Sequence, residues 1–346
     1  MATATLTRHT PIEVVSTDGM PEDEWKDWRR KGIGGSEVAA VMGCSPFMTA
    51  RDLYFDKVGI KPAIEEEGNW VAMEVGHRLE SLVAEIFHRK TGLKVYQIKK
   101  MFAHPDYPFM QANVDYFVET LDGQKGILEI KTSNLHAKDK WADDTIPYNY
   151  ELQGRHYMAV MDLDFCWFAC LFGNNENDFV MRMVERAREI EQDIIVEEEH
   201  FWNDYVLAHT EPPYTEDGDL VLESIRKHYG PAVKGQPVVS IPASHKKDLE
   251  QILVLRKKKS DLDRQSKELD EAIKQLYGPI VDRLGARCLG ECIVGGETYR
   301  ITYNPRYRTS VNADNLKKME VNDKAVYDKY VTTTESRVFA VKKESA

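Results

Sequence analysis

Two carboxylates and a lysine are spaced so that a β-hairpin would bring them together. Asp115 lies in one strand-like segment, and Glu129 and Lys131 lie in the next. The intervening Leu121-Asp122-Gly123 is a turn signal, and a turn centred there places Asp115 opposite Glu129. Because residues two apart share one face of a strand, Glu129 and Lys131 should point the same way. Their apolar neighbours should turn into a core; these are Leu128 and Ile130.

This combination of charges predicts metal-assisted phosphodiester hydrolysis. Two hard oxygen ligands placed close together attract Mg²⁺ or Mn²⁺. A lysine beside the metal can orient or deprotonate a water molecule, which is the equipment such hydrolysis needs. A surface hairpin with three solvated charges is the alternative, and short motifs do match by chance. The other candidate groups along the chain favour a catalytic site over a solvated surface hairpin.

A third carboxylate and a glutamine could complete this site. Glu80 lies within the apolar stripe of a predicted helix, where an acid is costly unless it is paired or bound to metal. An ion pair at the edge of the stripe is the alternative, but beside the hairpin a metal ligand explains Glu80 better. Gln153 and Tyr157 face together one helical turn apart. Gln153 could hold a water or a phosphate there, or the two could be an ordinary surface pair.

A second candidate site precedes a short predicted helix. Gly34-Gly35-Ser36 would let a phosphate approach the backbone, with Ser36 as the cap of a helix over residues 37–42. A plain helix cap explains these residues equally well. The cations Arg29, Arg30 and Lys31 stand just upstream and favour an anion site, such as the terminal phosphate of a DNA strand.

Hydrophobic periodicity predicts the elements that must position these groups. Helices are expected over residues 37–42, 49–57, 69–90, 148–161 and 183–205, and residues 25–30 form a short helix or a turn. Strands are expected over residues 12–15, 93–100, 109–119, 127–132 and 165–172. The order helix, three strands, helix, strand indicates an α/β core with one mixed central sheet flanked by helices.

The composition changes after residue 240. Leu255, Leu262, Leu269 and Leu276 repeat every seven residues, which predicts a long helix that packs on a partner helix of the same chain or of another subunit. Gly278-Pro279 should bend or end it. A small β-rich module with one helix, over residues 312–320, should follow. The predicted domains are an arm (1–22), a catalytic domain (23–235), the long helix (236–283) and the C-terminal module (284–346).

Bulk properties limit the possible classes of protein. An apolar content of 42% indicates a folded chain, and the longest apolar run, residues 165–172, is far too short to span a bilayer. The N-terminus lacks a secretory signal, so we expect a cytoplasmic protein. The net charge of −11 does not favour binding to a polyanion unless basic residues are clustered locally. Cys166 and Cys170 lie among aromatic residues and are interpreted as buried, reduced thiols.

Five segments together resemble the YqaJ viral recombinase family, whose architecture is similar to that of phage lambda exonuclease. In family order they are Arg29 with Gly32-Ile33-Gly34-Gly35-Ser36-Glu37-Val38, Gly76-His77-Arg78-Leu79-Glu80, Val114-Asp115, Leu128-Glu129-Ile130-Lys131 and Gln153-Gly154-Arg155-His156-Tyr157. The broader class is the PD-(D/E)XK nucleases, and Val114 stands where the class name has proline. The match covers roughly residues 23–210. Glu335-Ser336-Arg337-Val338-Phe339 also resembles the C-terminal extension of many phage members.

The resemblance implies a PD-(D/E)XK restriction-endonuclease-like core and a role for each candidate residue. Mg²⁺, with Mn²⁺ as a substitute, would be held by Asp115, Glu129 and the carbonyl oxygen of Ile130, with Glu80 completing the acidic site. Lys131 would position or activate the attacking water, and Gln153 would support the site. The 5′-phosphate of the degraded strand would be bound by Arg29, Gly35 and Ser36.

The activity implied by the resemblance is 5′-to-3′ exonuclease digestion of linear duplex DNA in a phage or prophage recombination system. The resemblance also implies a ring-shaped homotrimer and a single-strand annealing protein as a partner. A structure-selective or nicking endonuclease is the first alternative. A catalytically inactive DNA-binding or assembly protein is the second, and the complete set of Glu80, Asp115, Glu129 and Lys131 argues against it.

Overall fold

The computed structural model of the chain describes residues 8–64, 70–307 and 312–332. The chain forms two compact units, Met1–Pro231 and Ala232–Ala346. The first seven residues of the predicted arm and the family-like segment Glu335–Phe339 lie outside the described residues.

The first unit is a mixture of strands and helices. Its strands are β1 (Ile12–Ser16), β2 (Ile33–Gly34), β3 (Lys94–Tyr96), β4 (Lys100–Ala103), β5 (Met110–Ala112), β6 (Tyr116–Glu119), β7 (Lys125–Ser133), β8 (Phe165–Phe172) and β9 (Phe179–Glu185). Its α-helices are α1 (Glu22–Arg29), α2 (Val38–Val41), α3 (Ala50–Lys57), α4 (Trp70–Thr91), α5 (Tyr148–Met161), α6 (Arg188–His200) and α7 (Gly218–Tyr229). A 3₁₀ turn over Gly35–Glu37 leads into α2, and π-helical turns over Phe201–Leu207 continue α6.

A five-stranded mixed sheet forms the centre of this unit, in the order β3-β6-β7-β8-β9. Only the β7–β8 pair is parallel, and the other three pairs are antiparallel. A parallel pair needs a crossover connection, which α5 supplies between β7 and β8. The predicted α/β class, with a mixed central sheet flanked by helices, is confirmed.

The two faces of β7 are buried against different helices. Leu128 and Ile130 pack in one core cluster with Phe87 of α4. Ile127 packs in the other cluster with Leu152 of α5. The prediction that Leu128 and Ile130 turn into a core is therefore confirmed. Because side chains alternate along a strand, the odd-numbered residues of β7 lie on the α5 side of the sheet.

The prediction of a single sheet was wrong, since a second one has the order β1-β4-β5-β2. The strand predicted over residues 109–119 is divided between the two sheets: β5 belongs to the second and β6 to the first. The strand predicted over residues 93–100 is likewise divided into β3 and β4. Periodicity identifies extended, half-buried chain, but it does not reveal which strand that chain pairs with. The break over residues 113–115 is therefore invisible in the sequence pattern.

The helix predicted over residues 183–205 begins too early. Met183 and Glu185 belong to β9, where Met183 pairs with Trp167 of β8, and α6 starts only at Arg188. Here tertiary pairing with a buried strand outweighs the local helical pattern. The helix predicted over residues 148–161 and the strand predicted over residues 165–172 are confirmed at both ends.

The second unit contains the long helix α8 (Lys246–Leu284), the hairpin β10 (Leu289–Val294) and β11 (Glu297–Thr302), and the short helices α9 (Ala313–Asn322) and α10 (Lys324–Tyr330). The predicted long helix is confirmed, but it continues through Pro279 and ends at Gly285, whose φ is +57°. The part of the module that the structure describes has two helices where one was predicted. The leucines of the seven-residue repeat are exposed in the single chain. Within the described ranges, every helix is too short or too polar to cross a lipid bilayer.

Candidate active site

The β6–β7 hairpin places Asp115 opposite Glu129. The antiparallel register pairs Tyr116 with Leu128, so the residue just before β6 falls beside the residue that follows Leu128. The turn closes through a hydrogen bond from the Thr120 N–H to the Gln124 carbonyl oxygen at 2.9 Å. The hairpin and its register are as the sequence predicted.

Asp115 lies at an open edge of β7. The ladder with β6 reaches only to Leu128, whereas β7 continues to Ser133. Beyond the ladder, the Ile130 N–H donates to Asp115 Oδ2 at 3.0 Å, so a side chain replaces the missing strand partner. The N–H and C=O of one strand residue point to the same neighbour, so the Ile130 carbonyl oxygen also faces this open edge.

Glu129 is the most buried group of the site, with 1% of its surface exposed. Its Oε1 accepts from Lys131 Nζ at 2.7 Å and from Gln153 Nε2 at 2.5 Å. Its Oε2 is buried and has no hydrogen-bond partner among the described residues. A buried carboxylate oxygen without a donor is costly, and a bound proton or cation would remove that cost.

Lys131, Glu129 and Gln153 form a closed triangle of polar contacts. Besides its bond to Glu129, Lys131 Nζ donates to Gln153 Oε1 at 3.0 Å. It also lies 4.8 Å from the centre of the Tyr150 ring. Gln153 and Tyr150 both come from α5, which crosses over this face of the sheet. The structure thus brings together three of the five predicted catalytic side chains through direct contacts.

Glu80 interacts with the site electrostatically. It lies on α4, is half-buried, and its Oε1 accepts from Gln97 Nε2 at 3.2 Å. Burial raises the pKa of Glu80, and the charge of Glu129 raises it further against the opposing effect of His77. The described part of the chain contains no group of three or more His, Cys, Asp or Glu side chains arranged to hold a metal ion. The assignment of Glu80 as a further ligand therefore stays a prediction.

The two facing carboxylates have raised pKa values. Burial raises the pKa of Asp115 to about 6, with Lys131 acting against this and Glu80 adding to it. Burial raises the pKa of Glu129 to about 7, with a further rise from Asp115 and an opposing effect of Lys131. Burial alone would lower the pKa of Lys131, but the charges of Glu129 and Asp115 outweigh it and the pKa is raised. Both carboxyl groups therefore bind a proton more readily than solvent-exposed ones do, and a cation at this site would compete with that proton.

These oxygens fit a small, hard divalent cation. Mg²⁺ is bound through one or two carboxylates and keeps several of its own waters, so it does not need a preformed cage of protein ligands. Asp115, Glu129 and the carbonyl oxygen of Ile130 would be its ligands, and the unpartnered Glu129 Oε2 is the observation that supports this assignment.

The second candidate site brings Arg29 and Ser36 together. Arg29 Nη2 donates to Ser36 Oγ at 3.0 Å and to Glu37 Oε1 at 2.7 Å, and its guanidinium lies 4.8 Å from the ring centre of Trp25. The prediction that Ser36 caps the helix was wrong. Ser36 lies inside the 3₁₀ turn, and the Gly34 N–H donates instead to Glu37 Oε2 at 2.8 Å. Because α2 has only four residues, its dipole contributes little and any anion would depend on the side chains.

Gly35 connects the two sites through close packing. A Cβ atom at Gly35 would lie 2.5 Å from Cε1 of Tyr157, so no larger residue fits without movement of that ring. Tyr157 in turn has its hydroxyl 3.4 Å from Gln153 Nε2. The glycine was predicted to let a phosphate approach the backbone. In the structure it makes room for an aromatic side chain of α5, and contact of Gly35 with a phosphate stays a prediction.

Several buried polar residues near these sites were not predicted. Lys57 Nζ donates to Glu37 Oε2 at 2.7 Å, and His156 Nδ1 lies 2.7 Å from Glu198 Oε1 with both side chains fully buried. Glu37 stands three residues after Gly34, the spacing of a capping box, which is the signal that could have identified it. The sequence gives no comparable signal for Lys57 and Glu198, because each looks like an ordinary charged residue on a helix. The interpretation of the two strand cysteines as buried free thiols is confirmed; they are Cys166 and Cys170.

The chain is similar to known proteins in sequence over most of its length and, more distantly, in structure. The profile of the YqaJ-like viral recombinase domain matches residues 24–164. The uncharacterized protein YqaJ of Bacillus subtilis (strain 168) is 35% identical over 257 residues, which cover 74% of this chain and 78% of that protein.

Two crystal structures give the structural comparison. An alkaline exonuclease (LHK-Exo) from Laribacter hongkongensis has 21% identity and a TM-score of 0.45, covering 54% of this chain and 93% of that chain. A phage related exonuclease from Haemophilus somnus 129PT has 13% identity and a TM-score of 0.40, covering 54% and 100%. At these identities and scores the two structures have only a distant likeness to this chain.

Proposed function

Because this chain belongs to the YqaJ-like viral recombinase family, we propose that it is a Mg²⁺-dependent deoxyribonuclease that digests linear duplex DNA from its 5′ ends. The observation that carries the proposal is the group formed by Asp115, Glu129, Lys131 and Gln153. In it, one buried carboxylate oxygen lacks a partner while the lysine ammonium stands 2.7 Å from the other oxygen of the same carboxylate. Acidic ligands beside an ammonium group suit hydrolysis of a phosphodiester bond.

Each residue has a distinct part in the proposed reaction. Asp115, Glu129 and the Ile130 carbonyl oxygen would hold the metal, and Glu80 would add negative charge. When bound, Mg²⁺ lowers the pKa of a coordinated water and offsets charge on the phosphate. The Lys131 ammonium, which contacts Glu129 and Gln153, would donate hydrogen bonds that orient the water and balance the developing negative charge. Gln153 holds Glu129 and Lys131 in place through its amide.

The choice of exonuclease over endonuclease depends on the Arg29–Ser36 pair. A guanidinium next to a hydroxyl is suited to a terminal phosphate, which a hydroxyl end lacks. An endonuclease that cuts within a strand meets only internal phosphodiesters, which lack the additional negative charge of a terminal phosphate. We further propose that the enzyme acts in the cytoplasm of a bacterial host, in a phage or prophage recombination system. Digestion from the 5′ end would leave a 3′ single strand for an annealing protein, and a ring-shaped homotrimer would enclose the duplex.

Digestion of linear and circular duplex DNA tests this function. Each substrate is incubated with the full-length chain in Mg²⁺ or in EDTA. Loss of the linear substrate alone, and only with Mg²⁺, supports the exonuclease. Nicking or cutting of the circle would instead assign the chain to the endonucleases. Binding of DNA without digestion in Mg²⁺ or Mn²⁺ would assign it to inactive DNA-binding proteins.

A further inference from the structure

Three buried or half-buried charged residues form a cluster that includes the arginine of the Arg29–Ser36 pair; they are Arg29, Glu37 and Lys57. Glu37 Oε1 accepts from Arg29 Nη2 at 2.7 Å, and Glu37 Oε2 accepts from Lys57 Nζ at 2.7 Å and from the Gly34 N–H at 2.8 Å. Lys57 Nζ also donates to the Arg29 carbonyl oxygen at 3.0 Å. Arg29 is therefore fixed twice, through its guanidinium by Glu37 and through its backbone by Lys57.

The cluster is largely closed to solvent except at Arg29. The side chain of Lys57 is fully buried, that of Glu37 is 8% exposed, and that of Arg29 is 25% exposed. Burial by itself would raise the pKa of Glu37, but the cations Arg29 and Lys57 outweigh burial and lower it. Burial lowers the pKa of Lys57, against the opposing effect of Glu37. Counted as formal charges, the two ion pairs of Glu37 with Arg29 and Lys57 leave one net positive charge. That charge is presented on the accessible side, at Arg29 next to Ser36.

Stability alone does not explain this arrangement. Replacing a buried ion pair by apolar residues of similar size is often neutral or stabilising, because removing the charges from water is costly. An apolar pair at positions 37 and 57 would fill the same space, but it would not hold a guanidinium in one orientation. A guanidinium that its neighbours already hold in place loses less conformational freedom when it binds a phosphate.

We propose that Glu37 and Lys57 are positioning residues that hold Arg29 toward a terminal phosphate and thereby set the preference for phosphorylated DNA ends. This inference rests on the proposed function of the Arg29–Ser36 pair. Glu37 and Lys57 touch no substrate themselves. Their effect reaches the DNA end only through the direction of the Arg29 guanidinium and the position of the last turn of α1.

The test compares two duplexes of one sequence, with a 5′-phosphate or a 5′-hydroxyl at the same end. Fluorescence anisotropy in EDTA gives the dissociation constant for the 5′-hydroxyl duplex divided by that for the 5′-phosphate duplex. Digestion in Mg²⁺ gives the same ratio for the two KM values. Glu37→Gln keeps the size of the side chain but removes the charge that orients Arg29. The double variant Glu37→Gln/Lys57→Met removes both buried charges together, which protects folding if the single variant is unstable. We expect either variant to lower both ratios by about tenfold, the usual scale for a charged hydrogen bond.

Glu191→Gln is the matched control. Glu191 is also buried, with 2% of its side chain exposed, and it forms ion pairs with Arg186 and Arg188, which are not members of this cluster. Its loss should affect stability and leave the preference for phosphate unchanged. A wild-type preference that survives in both Glu37 variants would overturn the inference while leaving the nuclease intact. Absence of digestion by the wild type would overturn the proposed function, and the binding ratio in EDTA would still decide the role of Glu37. A wild type that binds both ends equally would overturn the inference as well.

Discussion

The backbone N–H of Ile130 donates a hydrogen bond to Asp115 Oδ2 at 3.0 Å, at the point where the ladder between β6 and β7 has ended. This contact explains why the candidate site lies where it does. The chain leaves one sheet at Ala112 and enters the other at Tyr116, and the acid between them satisfies an edge that no strand covers. Asp115 is thereby held opposite Glu129.

Asp115→Asn should abolish cleavage and preserve DNA binding. The amide oxygen can still accept from the Ile130 N–H, so the fold at the edge is kept while the negative charge for the metal is lost. We expect the rate on linear duplex DNA to fall by at least about a hundredfold, on the scale of losing a pre-organised electrostatic group. Anisotropy with the same duplex should change little. Normal digestion by this variant would rule out Asp115 as a metal ligand.

Lys131→Met should impair the chemical step more than metal binding. Methionine keeps much of the apolar stem but removes the ammonium that contacts Glu129 and Gln153. The expected loss in kcat is about a hundredfold or more, whereas Mg²⁺ should still raise the melting temperature. A variant with unchanged kcat would exclude Lys131 from the reaction. Since the site residues act as a unit, the double variant with Asp115→Asn should be little worse than the single one.

Mg²⁺ should stabilise the protein more at pH 8 than at pH 6. The pKa of Asp115 is raised to about 6 and that of Glu129 to about 7, so the metal-free folded state binds more protons than the unfolded chain. The contribution of these two groups to the folding stability should therefore fall as the pH rises from about 4 toward 7. The metal must displace these protons, and its binding grows stronger over the same interval. Thermal unfolding at pH 6 and pH 8, with and without Mg²⁺, measures this difference. A rise in melting temperature on adding Mg²⁺ that is the same at both pH values would contradict the prediction.

Gly35→Ala should disturb both candidate sites at once. The added Cβ would lie 2.5 Å from Tyr157, and movement of that ring would affect its neighbour Gln153. We expect a loss of about 1–3 kcal/mol in unfolding free energy, typical of overpacking, together with reduced digestion. Gly218→Ala is the control, because a Cβ at Gly218 meets nothing within 4 Å and its φ is ordinary. Equal urea midpoints for the two variants would show that the packing at Gly35 is not tight.

Arg29→Ala should weaken the preference for 5′-phosphorylated ends. The guanidinium contacts Ser36 Oγ at 3.0 Å, and alanine would leave the hydroxyl without its cationic neighbour. The digestion rate on the 5′-phosphate duplex divided by that on the 5′-hydroxyl duplex should fall by about tenfold. A wild type that digests both ends at one rate would count against an end-binding role for Arg29.

The hairpin and its register could be predicted because they follow from local signals. A turn between two alternating segments fixes which residues face each other, and this placed Asp115 opposite Glu129 correctly. The helix α5 and the strand β8 were predicted at both ends for a similar reason, since apolar periodicity and turn residues bound them. The hairpin carries Asp115, Glu129 and Lys131, and α5 carries Gln153, so most of the candidate site could be derived from sequence.

Other features depend on contacts between distant parts of the chain. The break between β5 and β6 arises because the chain changes sheets, which no period within the segment reveals. From the sequence alone, Ser36 looks like a helix cap. In the structure the Gly34 N–H donates to the Glu37 side chain, and Lys57 and Arg29 hold that side chain in place. Lys57 could not be predicted as a buried residue, because its partner lies twenty residues earlier on another element.

Anomalous diffraction from crystals grown with Mn²⁺ tests the central claim most directly. The account predicts a peak within coordination distance of Asp115, Glu129 and the Ile130 carbonyl oxygen, and its loss in Asp115→Asn crystals. A Mn²⁺ ion bound elsewhere, with Glu129 Oε2 still unliganded at a pH above 7, would contradict it.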